Sequence, residues 1–238
     1  MFQLVNKETR HTMNGAHYYV TGTDTEVGKT FIACGFLALA RRQSKRTLGL
    51  KPIAAGCDDT GEGYRNEDAV ALIRASGTQL SYDEINPIAL EPAIAPHIAL
   101  SQIGEKVSAD YLAGHCRRVA DHEAADLTLV EGAGGWFVPL SGDDALSDMA
   151  QLLNFDVILV IGMKLGCLNH ALLTQAAIHH AGLKLAGWVA NTVTEEPMQF
   201  LEENIETLRY RMTSPCLGVV PYLADREDEA ADYLSLPE

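Results

Sequence analysis

The feature that most restricts the fold of this chain is a glycine-bounded loop between an apolar segment and a helical pattern. Residues 17–21 have the composition of a strand, and residues 29–42 carry apolar side chains near helical spacing. The loop between them, residues 22–30, reads GTDTEVGKT. Glycines let backbone N–H groups turn toward phosphate oxygens, and the helix N-terminus adds partial positive charge. This order of elements predicts a phosphate-binding loop, or P-loop, in an α/β protein.

Lys29 and Thr30 end the loop with the chemistry that nucleotide phosphates require. The lysine can neutralise β- and γ-phosphate oxygens, and the threonine hydroxyl can bind Mg²⁺. The usual motif has four residues between its two glycines, whereas five residues, Thr23 to Val27, lie between them here. A strand-to-helix turn in which Gly-Lys-Thr occurs by chance is therefore an open alternative.

The rest of the chain alternates short apolar segments with helical stretches. Strands are predicted at residues 17–21, 47–51, 126–131, 156–161, 184–190 and 216–220. Helices are predicted at residues 29–42, 67–75, 107–120, 169–181 and 198–210. This alternation favours a mostly parallel central sheet with helices on both faces. We expect one P-loop α/β domain over residues 17–224, a flexible N-terminal extension at 1–16 and an acidic, loosely attached, solvated C-terminal tail at 225–238.

A second candidate phosphate feature follows the strand at residues 126–131. Glu131 ends this strand and is followed directly by the glycine-rich run Gly132-Ala-Gly-Gly135. An acidic residue at the carboxyl end of a strand beside a P-loop strand suits Mg²⁺ coordination, directly or through water. The glycines allow the backbone to approach a ligand closely. A solvent-exposed carboxylate at a strand end is the alternative interpretation.

Charge and cysteine content restrict the possible partners and compartment. The 18 basic and 32 acidic residues give a net charge of −14, which argues against binding to nucleic acid or to an anionic membrane. Residues 1–60 nevertheless carry a net charge of +3, so a local anion site is expected there. The five scattered cysteines form no metal-like pair and indicate reduced thiols in the cytoplasm. No apolar run approaches the roughly 20 residues of a membrane span.

Seven motifs, taken together and in this order, resemble the dethiobiotin synthetase family. They are GTDTEVGKT, LKPIAAG, RNEDAVAL, APH, VEGAGGWFVPL, GMKLGCLNHALLT and GWVAN. The five-residue loop spacing is the spacing of that family. The resemblance implies a cyclo-ligase that joins 7,8-diaminononanoate, CO₂ and ATP to give dethiobiotin, ADP and phosphate. It also implies an N-carbamate and a carbamic–phosphoric anhydride as intermediates, in biotin biosynthesis.

The resemblance assigns roles to matching positions of this chain. Catalytic roles fall on Lys51, Lys29 and Thr25. ATP contacts fall on Glu26, Val27, Gly28, Lys29, Thr30, Glu131, Gly132, Gly134, Asn191, Pro221 and Leu223. The Mg²⁺ ligands, direct or through water, are Thr30, Asp68 and Glu131. Substrate contacts fall on Thr25, Lys51, Ala55, Gly134, Lys164, Leu165, Gly166, Cys167, Leu168 and Asn169. Within this set, Asn191 is expected to bind adenine.

The loop at residues 164–169 is implied to reach across a dimer interface. In the family its backbone N–H groups hold the distal carboxylate of the substrate, so the resemblance implies a homodimer with shared active sites. One departure is Ala55, which stands where some members carry serine near the carbamate and puts one hydroxyl contact in doubt.

Several of these residues have plain structural alternatives when the family is set aside. Lys51 at a strand end and Lys164 in a loop are also typical of solvent-facing lysines. Asp68 suits the N-terminus of a helix, where the helix dipole favours an acid. Asn191 can also cap the strand that it follows.

Two other functions are compatible with a P-loop, and the sequence offers an argument against each. A nucleotide-driven switch, such as a partitioning or metal-cluster-insertion ATPase, usually carries an extra lysine early in the loop. Thr23 and Asp24 occupy those positions here. A glutamine-dependent amidating enzyme requires a further amidotransferase domain, for which 238 residues leave no room.

Overall fold

A computed structural model describes residues 15–224 and 226–238 of the chain. The strands are β1 Ala16–Gly22, β2 Thr47–Leu50, β3 Ile53–Ala55, β4 Asp58–Asp59, β5 Tyr64–Arg65, β6 Ile88–Leu90, β7 Leu127–Glu131, β8 Asp156–Gly162, β9 Leu185–Asn191 and β10 Cys216–Val220. The helices are α1 Lys29–Arg42, α2 Glu67–Ser76, α3 Tyr82–Ile85, α4 Pro96–Gln102, α5 Ala109–Glu123, α6 Leu146–Leu153, α7 Cys167–His180 and α8 Leu201–Arg211. A 3₁₀ helix spans Glu227–Tyr233.

The central sheet contains six parallel strands in the order β10-β9-β8-β1-β7-β2. Its two faces bury different side chains of the same strand, because successive residues of a strand point to opposite faces. Tyr19 packs into the core under α5 to α8, whereas Tyr18 and Val20 pack toward α1, α2 and the 3₁₀ helix. The predicted α/β fold, with a parallel sheet and helices on both faces, is confirmed.

Short elements account for what the sequence prediction missed. β3 and β6 form a two-stranded parallel sheet, and β4 and β5 form a short antiparallel hairpin. α3, α4 and α6 have four to eight residues. Elements this short contain too few turns or alternations for periodicity to separate them from loops. The six long strands and five long helices, in contrast, were all predicted, with ends that differ by at most three residues.

The acidic C-terminal segment packs against the domain more closely than its composition indicates. Ala230 and Ala231 of the 3₁₀ helix are buried, and the Ser235 N–H donates to the Leu217 carbonyl oxygen at 2.8 Å. A Cβ at Gly218 would collide with the carbonyl oxygen of Tyr233, so glycine permits this approach. The side chains of Asp228, Glu229 and Asp232 remain exposed, whereas the small apolar residues attach the segment. The predicted extension at 1–16 falls outside the described residues as far as residue 14.

The carboxyl ends of the parallel strands gather the candidate site residues at one edge of the sheet. β1 ends at Gly22 before the P-loop, β7 ends at Glu131, and β9 ends at Asn191. Open α/β sheets bind their ligands at this edge.

None of the helices in residues 15–224 and 226–238 has the length and apolarity that a membrane span requires.

Candidate active site

The P-loop is held in shape by a contact from β9 as well as by its own glycines. Gly28 adopts φ 81° and precedes the first turn of α1, a conformation that favours glycine. A Cβ at Gly28 would collide with Nδ2 of Asn191. That Nδ2 atom donates to the Val27 carbonyl oxygen at 3.0 Å. Asn191 therefore braces the loop backbone, a contact that the sequence did not reveal.

Lys51 lies at the centre of a buried charge cluster. Its Nζ donates to Glu131 Oε1 at 2.5 Å and to Asp68 Oδ2 at 2.7 Å, and the Lys51 side chain is only 3 % exposed. Thr30 Oγ1 donates to the same Oε1 atom of Glu131 at 2.8 Å. Residues from the P-loop helix, β7, α2 and the end of β2 thus converge here, and the solvent-facing alternative for Lys51 is wrong in this structure.

The pKa values of this cluster reflect competition between burial and charge pairing. Burial alone lowers the pKa of Lys51, but the negative charges of Glu131 and Asp68 raise it above its usual range. Burial raises the pKa of Asp68, yet Lys51 lowers it below its usual range. For Glu131 burial outweighs the nearby ammonium, and its pKa is raised. The Lys51 ammonium therefore favours the ionised form of both carboxylates, and at Glu131 burial opposes it more strongly.

The oxygen atoms around Glu131 fit a small hard cation. Glu131 Oε2 is buried and has no hydrogen-bond partner. With the Thr30 hydroxyl and the Asp68 carboxylate nearby, the donor set consists of oxygen, which Mg²⁺ prefers, and it leaves places for water. The described residues contain no cluster of three or more His, Cys, Asp or Glu that could hold a metal. An ion here would accordingly need oxygens from water or phosphate as well.

Lys29 and Asp24 connect the P-loop to the loop that follows β8. Lys29 Nζ donates to the Asp24 carbonyl oxygen at 3.1 Å, and burial lowers the pKa of Lys29 to about 8. Asp24 Oδ2 accepts from Lys164 Nζ at 3.0 Å. This half-exposed ion pair lowers the pKa of Asp24. Lys164 is thus not simply a solvent-facing loop lysine, because it contacts the P-loop directly.

A cavity of about 830 Å³ opens above this cluster, within the size range of small-molecule sites. Its lining includes ten of the residues assigned by the sequence: Thr25, Glu26, Gly28, Lys29, Thr30, Lys51, Ala55, Asp68, Glu131 and Gly134. Phe31, Asn66 and the segment from Ala93 to Pro96 also line it, and the sequence analysis assigned them no role.

The remaining assigned residues lie around this cavity rather than in its lining. Pro221 lines a second cavity of about 620 Å³ at the ends of β9 and β10, and Leu223 is buried. Val27 packs beneath the P-loop, and the carbonyl oxygen of Gly132 accepts from Lys51 Nζ at 3.4 Å. Asn191 contacts the P-loop backbone rather than either cavity. The predicted adenine contact of Asn191 therefore stays a prediction.

The loop at residues 164–169 leads into α7 and presents one fully exposed apolar side chain. Gly166 has φ 98° and α7 begins at Cys167, whose N–H donates to the Lys164 carbonyl oxygen at 2.9 Å. Leu165 is 96 % exposed. Leu168 is partly buried, and Asn169 follows it within the first turn of α7. The substrate contacts assigned to this loop remain predictions.

The fold and the site define a P-loop α/β protein with a nucleotide-type phosphate site at the carboxyl edge of its sheet. Residues 16–230 match the AAA domain family. The chain is 54% identical over 219 residues to the ATP-dependent dethiobiotin synthetase BioD of Cellvibrio japonicus, covering 92% of this chain and 95% of that protein. It is 47% identical over 214 residues to BioD 1 of Escherichia coli O157:H7, covering 90% and 94%. The chain belongs to the ATP-dependent dethiobiotin synthetase family.

Solved structures with low sequence identity share the fold. MinD from Aquifex aeolicus aligns with a TM-score of 0.54 at 12% identity, covering 92% of this chain and 86% of that one. FtsY from Elizabethkingia anophelis in complex with GDP aligns with a TM-score of 0.55 at 12% identity, and this chain spans 63% of its length. At this identity the likeness extends to the fold alone.

The buried cluster predicts a pH-dependent loss of stability in Lys51→Met. Without the ammonium, the pKa of Glu131 rises further, so the folded state keeps a proton that the unfolded chain has released. The free energy of unfolding then falls as pH rises through that window. We expect a loss of about 3–5 kcal/mol near pH 8 and a smaller loss near pH 5, measured by urea denaturation against wild type at each pH.

Lys184→Met is the matched control, because Lys184 Nζ pairs with Asp156 Oδ2 at 3.0 Å on the exposed surface. Its loss should stay below about 1 kcal/mol at both pH values. Equal losses in the free energy of unfolding for Lys51→Met at both pH values would contradict the proposed effect of the Lys51 charge on the pKa of Glu131.

Proposed function

We propose that this chain catalyses ATP-dependent closure of the dethiobiotin ring from 7,8-diaminononanoate and CO₂. The observation that carries the proposal is the meeting of Lys29 and Lys51 at one cavity with the P-loop. Lys29 belongs to the P-loop, and Lys51 lies between the two carboxylates. The reaction brings together a carbamate and a γ-phosphate, both anionic, and two ammonium groups at the same cavity offset that charge.

The reaction proceeds in three steps. CO₂ reacts with one substrate amine to give a carbamate and a proton. A carbamate oxygen then attacks the γ-phosphorus of ATP, ADP leaves, and a carbamic–phosphoric anhydride forms. The second amine attacks the carbamoyl carbon, phosphate leaves, and the ring closes with loss of the amine proton. The protein mainly has to hold the reactants in line and to stabilise charge.

The lysines and the other P-loop residues would each contact a different part of the reacting groups. Lys29, with backbone N–H groups of Gly28 and Thr30, contacts the β- and γ-phosphates. Lys51 contacts the carbamate and the γ-phosphate, and Thr25 and Glu26 border the carbamate in the same loop. The methyl group of Ala55 leaves the carbamate without one hydroxyl contact at that position. The early loop residues carry no lysine of the kind that a switch ATPase has.

Thr30, Asp68 and Glu131 are the residues that would hold Mg²⁺. The unpartnered Oε2 atom of Glu131 and the oxygen-only donor set support this assignment. When bound, Mg²⁺ would supply positive charge that offsets the negative charge developing on the phosphate oxygens.

The outer residues of the site would bind the ends of the two substrates. Asn191, Pro221 and Leu223 border the adenine, and the cavity at the ends of β9 and β10 offers space for the base. Gly134 allows the backbone to approach the reacting groups. The backbone N–H groups of residues 165–169, apart from that of Cys167, which donates to the Lys164 carbonyl oxygen, would receive the distal carboxylate of the substrate at the start of α7.

A second copy of the chain would complete this site, as in a homodimer. The 96 % exposure of Leu165 supports this proposal, because a large apolar side chain at the rim of a polar site gains stability from being covered.

The cysteines in the described residues are all free thiols, which suits the reducing conditions of the cytoplasm.

The reaction is tested by phosphate release from the purified protein with each reactant omitted in turn. We expect release only when ATP, Mg²⁺, bicarbonate and 7,8-diaminononanoate are all present, with dethiobiotin formed in equal amount. Lys51→Met should lower kcat by at least about a hundredfold, since a charge-stabilising donor is lost, whereas Lys184→Met should not. Phosphate release that does not depend on the diamine would contradict the proposal.

The pKa of Lys29, about 8, predicts a pH dependence of nucleotide binding. Only the protonated lysine attracts phosphate, so affinity should fall by about tenfold per pH unit above pH 8. Calorimetric titration with ATP between about pH 7 and pH 9 measures this, and proton uptake should accompany binding near pH 8. In Lys29→Met the affinity should be low and free of this slope; a slope that persists in the variant would contradict the assignment.

The homodimer predicts a solution mass of about twice 25.8 kDa by light scattering. Leu165→Glu would place a charge where the second copy packs, and it should shift the mass toward the monomer and lower kcat together. Tyr210→Glu changes a comparably exposed side chain on α8 and should leave both unchanged. A monomeric wild-type protein with full activity would refute shared sites.

A further inference from the structure

Lys51 occupies a position where the regular sheet gives its backbone no partner. β2 ends at Leu50 and forms the edge of the central sheet, so the ladder does not fix the peptide at residue 51. The Lys51 N–H instead donates to the Ile85 carbonyl oxygen at 3.0 Å. Asn86 Nδ2 donates to the Lys51 carbonyl oxygen at 2.6 Å. Both groups come from the end of α3, outside the P-loop and β7.

Tyr82 connects this backbone anchor to the helix that carries Asp68. Its hydroxyl donates to Asn86 Oδ1 at 2.8 Å and accepts the Asn66 N–H at 2.7 Å. Asn66 is the N-cap of α2, and its Oδ1 accepts from the backbone N–H groups of Asp68 and Ala69 at 3.1 and 3.4 Å. Because Lys51 Nζ in turn contacts Asp68, the hydrogen bonds form a closed ring.

Burial makes these bonds costly to lose. Asn66 is 5 % exposed and Asn86 is 2 % exposed. A buried amide or N–H that loses its partner keeps the cost of its desolvation. The guanidinium carbon of Arg65 lies 4.2 Å from the centre of the Tyr82 ring, which holds the ring in place from outside. Burial also raises the pKa of Tyr82, so its hydroxyl keeps the proton that it donates.

We propose that Tyr82 is a positioning residue, whose hydroxyl acts through Asn86 and Asn66 to fix the Lys51 ammonium relative to the Asp68 carboxylate. Its effect on turnover rests on the proposed function. The side chain of Tyr82 does not line the cavity, so it acts through other residues rather than on the substrates. This ring of contacts ties α2 and α3 to the catalytic lysine, although neither helix belongs to the P-loop.

Tyr82→Phe tests the proposal, since it keeps the ring against Arg65 and removes only the hydroxyl. We expect kcat to fall by about tenfold, with KM for ATP changed by less than about twofold, because the P-loop contacts are intact. A purely structural role would lower the denaturation midpoint and leave kcat per folded molecule unchanged. An unchanged kcat, measured well below that midpoint, would overturn the proposal.

Tyr64→Phe is the matched control. The Tyr64 hydroxyl donates to Glu91 Oε2 at 3.1 Å on the surface, so the variant removes a tyrosine hydroxyl of the same chemistry from the same region. We expect its kcat and KM to match those of wild type. A loss equal to that of Tyr82→Phe would overturn the proposal, because it would show no special role for Tyr82.

Two further measurements separate the path through Asn86 from the proposed function. In the double variant of Tyr82→Phe with Asn86→Ala, the loss in kcat should be smaller than the product of the single losses, because both residues act on one path. A loss equal to that product would show that Tyr82 does not act through Asn86.

A crystal structure of the Tyr82→Phe variant tests the proposal without relying on enzyme activity. In that structure the contact of 2.7 Å between Lys51 Nζ and Asp68 Oδ2 should be lost. An unchanged contact would overturn the proposal even if the wild type proved inactive.

Discussion

The buried ammonium of Lys51 is the interaction on which the arrangement of this site depends. Two carboxylates from different elements, Asp68 and Glu131, lie within hydrogen-bond distance of a single Nζ atom. The Glu131 side chain is 1 % exposed, so without that ammonium its anion would be buried with no compensating charge, whereas Asp68 is partly exposed. The pairing also joins β2, β7 and α2, and Thr30 adds the P-loop helix to the same oxygen of Glu131. One positive charge therefore determines both the local packing and the electrostatic character of the cavity floor.

The parallel sheet brings these groups together without any local sequence relation among them. In a parallel sheet all carboxyl ends lie at one edge, so residues 22, 131 and 191 meet although about a hundred positions separate the first two. The same edge exists in MinD and FtsY, which share the fold at 12% identity. The chemistry of this chain consequently resides in the side chains placed at that edge, and not in the fold itself. The lysine between two carboxylates is one such placement.

Contacts from outside the two phosphate motifs support the site. Asn191 braces the P-loop backbone, Lys164 reaches Asp24, and Asn86 holds the carbonyl of Lys51. Each contact joins the site to an element that bears no phosphate motif. Catalytic geometry of this kind needs support from neighbouring hydrogen bonds, since small displacements of a charge reduce its effect on the reacting atoms.

The sequence alone determined the α/β class, the six long strands, the P-loop and ten of the residues that line the cavity. The class, the strands and the P-loop are local features, since periodicity shows within one element and the loop motif lies within nine residues. The assignment of Lys51, Ala55 and Asp68 to the site rested instead on the resemblance to the dethiobiotin synthetase family. Tertiary structure alone decided that Lys51 pairs with both carboxylates, that Asn191 contacts the loop backbone, and that the acidic C-terminal segment attaches through Ala230 and Ala231. It also decided the short helix α3, whose end bonds the Lys51 backbone through Ile85 and Asn86. Those outcomes depend on burial and on contacts between distant segments, and neither quantity is written in the local order of residues.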